Sequence, residues 1–137
     1  MSKKKILVPL DGTERSMHSL DWLKKMFRSD SVKITLMNIK EIVIANDMVI
    51  TNDEIKRVQK ESEDVLNDAE KQLEGYEVEK YCAFGYAADE ILLKAKRDNY
   101  DMIIMTKSTK KGLARMIGSV TSKVVKNAQT LVMIVPE

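Results

Sequence analysis

The chain has one cysteine, one histidine, five glycines and no long apolar run, and each shortage closes a route. A lone Cys82 makes no internal disulfide, so the fold has to rest on a packed core. With 137 residues the chain is long enough to bury one, and a single globular domain spanning residues 1–137 is expected. The only histidine, His18, falls inside a predicted helix and reads as a surface or boundary residue rather than a metal ligand. The apolar runs are strand-sized, well short of the roughly 20 residues that cross a bilayer, so no membrane insertion is expected. The basic start MSKKK is followed by only the short apolar ILVPL, which argues against a secretory leader and for a cytoplasmic protein. An excess of one charge is also missing. The balance of 23 Lys and Arg against 21 Asp and Glu leaves a net +2, which argues against a dedicated nucleic-acid binder. Finally, the few glycines form neither a Walker-type phosphate loop nor the G-x-G-x-x-G fingerprint.

What is present is an alternation of short aliphatic runs and amphipathic stretches. KKILVPL, stopped by DGT, predicts a buried first strand. Met17, Leu20, Leu23 and Phe27 then recur at helical spacing over residues 14–28, with Thr13 or Ser16 available as a capping hydroxyl. VKITLMNI predicts the second strand, and residues 41–51 carry no clean period and read as a packed connection. Ile55, Val58, Val65, Ala69 and Leu73 predict the longest helix over 52–74, with Gly75 as its stop. YEVEKYCAF is a third strand with Cys82 as a buried thiol, AADEILLKAKRDN a third helix and DMIIM a fourth strand. SVTSKVVKNA and TLVMIV supply the last helix and strand. Five strands alternating with four helices favour an α/β fold: a doubly wound five-stranded parallel sheet with helices on both faces.

In such sheets ligands bind beyond the carboxyl ends of the strands, where strand order reverses. That selects Pro9, Asp11 and Gly12 after strand one, Asn38, Ile39 and Lys40 after strand two, and Met105 and Thr106 after strand four. The stretch from Thr106 to Val125 is rich in lysine and arginine, has no acid, and holds a Gly118-Ser119 pair at a predicted helix start. Two readings stand. Gly118 lets backbone approach an anion while Ser119, Thr121 and the helix amides bind it, or Gly118 is a turn residue and Ser119 the helix cap. Asp11 is equally readable as a ribose or water-mediated magnesium partner and as a turn aspartate. No nucleophile, base and orienter pair up, so an enzyme is not expected.

Three stretches carry a resemblance. KKILVPLDGTERSMHSLDWL, GYAADEILLKAKRDNYDMIIMT and GLARMIGSVTSKVVKNAQTLVMIVP together resemble the universal stress protein family over nearly the full length and in order. The resemblance implies an adenine nucleotide alpha hydrolase-like fold, a homodimer and a role in stress response. It also implies ATP, with magnesium, in one branch, with at most weak hydrolysis. The alternative is the branch that binds no nucleotide and acts as a dimeric protein-interaction module. By this likeness Pro9 and Asp11 lie beside the ribose, Ile39 beside the adenine, and Gly118, Ser119 and Val120 at the phosphates. The motif's two earlier glycine positions fall on Thr106 and Thr109, whose side chains crowd that half of the cradle. The final strand, Leu131 to Val135, ends the chain at an expected sheet edge and is the expected dimer contact.

Overall fold

The computed structural model describes residues 2–41, 50–107 and 117–136. In chain order its elements are β1 (Lys4–Pro9), α1 (Glu14–Met26), β2 (Val32–Lys40), α2 (Asn52–Gln72), β3 (Glu77–Phe84), α3 (Ala87–Arg97), β4 (Met102–Thr106), α4 (Ser119–Asn127) and β5 (Leu131–Val135). The expected connection over residues 41–51 lies largely outside the described residues.

Local chemistry sets the helix limits. Thr13 precedes α1 in an extended conformation, and its hydroxyl accepts from the Ser16 amide at 3.2 Å, while Glu14 and the pair Lys24 and Lys25 match the helix dipole at either end. The helix stops at Met26, two residues earlier than its periodicity suggests, because Phe27 turns to extended backbone as its N–H closes the last turn on the Leu23 carbonyl. Thr51 caps α2 in the same way, through the Glu54 amide at 3.1 Å. Arg57–Glu61 and Lys60–Asp64 then lace its exposed face at i,i+4.

All strand pairs are parallel, in the order β3-β2-β1-β4-β5. The chain steps one way from β1 to β3, then crosses back to β4 on the other side of β1. Right-handed crossovers in opposite directions must place their helices on opposite faces. The core shows this residue by residue, with the period of two that a strand imposes. Ile6, Val8, Ile34, Leu36 and Ile104 pack with Leu20 and Leu23 of α1 and Leu66 and Ala69 of α2. Leu7, Met37, Ile103 and Met105 pack with Ile91 and Ala95 of α3 and Val124 of α4. Central strands are therefore buried on both sides, and truncating a fully buried Leu20 or Leu23 to alanine costs about 2–5 kcal/mol.

The two sheet edges differ. Along β3, Glu79 pairs with Lys33 at 3.0 Å and Lys80 pairs with Glu70 at 3.2 Å, so charges line that edge. On β5, LVMIV has no charge, and Leu131 is 70% exposed. Cys82 is half-buried against the first cluster rather than fully enclosed, because β3 is an edge strand.

Candidate functional site

The reversal of strand order falls between β1 and β4, so their carboxyl ends form the crevice that α/β sheets use for ligands. The register Leu7↔Ile103, extended by two residues, sets Met105 level with Pro9. On the other side Pro9 pairs with Met37, which brings Ile39 to the level of Asp11. Pro9, Asp11, Ile39, Met105 and Thr106 thus share one end of the sheet. Met105 is buried in the α3–α4 core, whereas Pro9, Ile39 and Thr106 are half-buried and Asp11 is exposed.

The loop after β1 is built from short-range bonds. Leu10 continues the strand pairing, its N–H donating to the Met37 carbonyl at 2.8 Å. Asp11 then accepts at Oδ1 from the Thr13 amide at 2.9 Å and from the Thr13 hydroxyl at 2.6 Å, an Asx turn that also aligns the cap of α1. Gly12 makes the bend with φ +87°, and a Cβ added there would stand 3.0 Å from Cγ2 of Val65 on α2. These bonds hold Asp11 in a turn just beyond the carboxyl end of β1.

Across the crevice two bonds fasten α4 to β4. The Gly118 amide donates to the Lys107 carbonyl at 2.7 Å, and the Thr121 hydroxyl, on a buried residue, donates to the Thr106 carbonyl at 3.0 Å. The cap of this helix differs from the expectation for Ser119. Gly118 is the capping residue, Ser119 is the first helical residue, and no side chain caps the helix. The tether explains this: with the Gly118 N–H held by Lys107, Ser119 is carried past the cap into the first turn. Ser119 and Val120 are exposed beside the crevice, and no acid lies in that turn. Gly118 has φ −65° and ψ 160°, open to any residue. What this position offers is the lack of a side chain, not torsional freedom. Thr109 lies outside the described residues.

Among the described residues no group of three or more His, Cys, Asp or Glu could hold a metal, and His18 is half-buried within α1. No helix among them is long and apolar enough to cross a membrane. The resolved shifts in acidity sit away from the crevice. Asp98, after α3, lies below the usual carboxylate range because Lys94 donates to it, and Lys33 is raised by its bond to Glu79. A separate open cleft of about 480 Å³ lies at the opposite end of the sheet, between Lys96, Asn99, Tyr100, Gln129 and Thr130. Its Thr130 hydroxyl is already spent on the Tyr100 carbonyl at 3.2 Å.

Sequence reasoning named Asn38 only as a strand-end residue and passed over Leu10. The available signal was an amide inside an aliphatic strand.

Comparison with known proteins agrees with this architecture. Universal stress protein MJ0531 of Methanocaldococcus jannaschii is 28% identical over 142 residues, covering 96% of this chain and 81% of its own. Among solved structures, hypothetical protein MJ0577 superposes with a TM-score of 0.80 at 25% identity, over 100% of this chain and 98% of the other. A universal stress protein in complex with cAMP gives 0.74 at 16% identity, over 99% and 98%. A family member from Arabidopsis thaliana with AMP bound gives 0.69 at 19%, over 98% and 92%. The model of the universal stress protein family matches residues 3–136, the span of all five strands and four helices described above, and the chain belongs to that family.

Proposed function

We propose that this protein binds an adenine nucleotide, ATP or AMP, in the crevice between β1 and β4, without turnover, as a cytoplasmic stress-response module. The observation that carries the reading is the fastening of the α4 start to the end of β4 by the Gly118 and Thr121 bonds. The first-turn amides of a helix have no partner within it, and the dipole adds positive potential there, so phosphate oxygens gain both donors and field. Gly118 keeps the approach to those amides clear, and Lys107 is exposed nearby. Asp11 faces the sugar side, for a ribose hydroxyl or, through water, magnesium. The AMP and cAMP held by two proteins of the same fold support an adenine nucleotide as the ligand class.

The test is isothermal titration with ATP, with and without magnesium, and with AMP, on the wild type and on Gly118→Asn. Asparagine is a good capping residue, so this variant should change stability by only a few tenths of a kcal/mol. Its side-chain oxygen should take the amide that a phosphate needs, and its bulk should close the approach. Affinity should fall at least about tenfold, a loss of about 1.4 kcal/mol. Equal affinities for the two proteins would remove the phosphates from this helix start. No binding of either nucleotide at millimolar concentration would overturn the nucleotide reading and favour the dimeric interaction module.

That second reading shares one element with the first. The uncharged β5 edge, with Leu131 exposed, is suited to antiparallel pairing with its own copy across a two-fold axis. A homodimer through Leu131–Val135 is part of either function.

A further inference from the structure

Asn38 is 1% exposed in a strand whose other buried residues are Val32, Ile34, Thr35, Leu36 and Met37. Thr35 earns its place through a 2.7 Å bond from the Tyr100 hydroxyl. Asn38 spends one donor, its Nδ2, on the Leu10 carbonyl at 2.7 Å, and its Oδ1 finds no partner among the described residues. The orientation of the amide follows from chemistry, because a carbonyl only accepts. An aliphatic residue there would avoid the orphaned Oδ1 but would take this donor from the buried Leu10 carbonyl, so what Asn38 supplies is its hold on that carbonyl.

The bond acts on the one residue from which the Asp11 loop hangs. Leu10 lies just beyond the end of β1, and β2 grips it on both sides: Met37 accepts its N–H and Asn38 donates to its C=O. The next three residues are Asp11, the left-handed Gly12 and the capping Thr13, joined by the Asx turn. Freeing the Leu10 carbonyl lets that peptide rotate, and the Asp11 carboxylate moves with it.

We propose that Asn38 is a positioning residue of the nucleotide site: by clamping the Leu10 carbonyl it fixes the loop that presents Asp11, and so sets nucleotide affinity. The affinity half rests on the nucleotide reading above; the loop half does not. The test compares wild type, Asn38→Leu and Asn38→Ser, the last in case leucine does not fold. The control is Tyr100→Phe, which removes a buried hydrogen bond on the other face of the sheet. Two quantities are read: amide exchange of residues 11–13 in the nucleotide-free protein, and ATP affinity by titration. Either Asn38 variant should speed exchange at Thr13, whose amide the Asx turn holds, at least fivefold and weaken ATP about tenfold. The control should lower the melting temperature and leave both readouts in place. Unchanged exchange in the Asn38 variants, or a control that shifts both quantities equally, overturns the proposal. If exchange speeds up and affinity holds, the clamp is real and its role in binding is refuted. If the wild type binds no ATP, the nucleotide reading fails, and exchange confined to residues 11–13 still decides the clamp.

Discussion

Replacing Gly12 with alanine tests whether the Asp11 loop has the backbone described, and its cost divides into two parts. The first is conformational: at φ +87° an L-residue meets its own carbonyl, which costs about 1–2 kcal/mol. The second is contact. The new Cβ lies 3.0 Å from Val65 Cγ2, tight enough that Val65 must yield by a few tenths of an ångström. Val65 is β-branched and stiff at χ1, and its neighbours Leu66 and Ala69 are buried, so yielding should cost about 1 kcal/mol more. The sum is about 2–3 kcal/mol, which for a chain of this length lowers the melting temperature by roughly 6–15 °C. Urea unfolding measures it as a shift in midpoint at constant slope. Adding Val65→Ala to Gly12→Ala separates the parts: the cycle should return about 1 kcal/mol of coupling, leaving the conformational cost. A Gly12→Ala midpoint within about 0.5 kcal/mol of wild type would refute the left-handed bend, and zero coupling would refute the Val65 contact.

Two further outcomes are expected. Met133→Pro in the middle of β5 removes a ladder donor and kinks the strand, so light scattering after gel filtration should show the mass moving from dimer to monomer; a monomeric wild type, or a folded mutant that stays dimeric, would show that the edge is used otherwise. The Asp98 carboxyl is held below its unperturbed value of 3.8 chiefly by the Lys94 bond, so its contribution is present above about that pH and is lost as pH falls through the lower folded-state value. Asp98→Asn should therefore flatten the acid side of the stability profile in urea titrations from pH 2 to 6, with little change in shape above pH 5; an unaltered acid limb would count against the pair.

How much of this was legible in the sequence depends on the range of the forces involved. Each strand and helix was readable because burial on one or two faces writes its period into neighbouring residues, as Ile34 and Leu36 do on β2. The helix ends were less so. Thr13 announces its helix because a hydroxyl caps within three residues, whereas the cap of α4 falls on Gly118 and not on Ser119, and the bond that holds Gly118 runs to Lys107, outside the helix. The strand order that opens the crevice has no local signature at all.

Asn38 shows the same limit from the other side. An amide at the end of VKITLMNIK is visible as an anomaly, yet its partner is the Leu10 carbonyl, 28 residues away in sequence. The two meet only because Pro9 pairs with Met37; a slip of one residue in that register would turn Asn38 to the α3–α4 face and leave the carbonyl unpartnered. The register itself is held by Ile6, Val8, Ile34 and Leu36, which must all face α1 and α2 for the core to close. Hydrophobic burial therefore fixes where a polar clamp forms, and the clamp in turn fixes a loop that burial cannot reach, since Asp11, Gly12 and Thr13 are all exposed. A core that was equally stable but shifted in register would keep the fold's layers and lose this loop geometry.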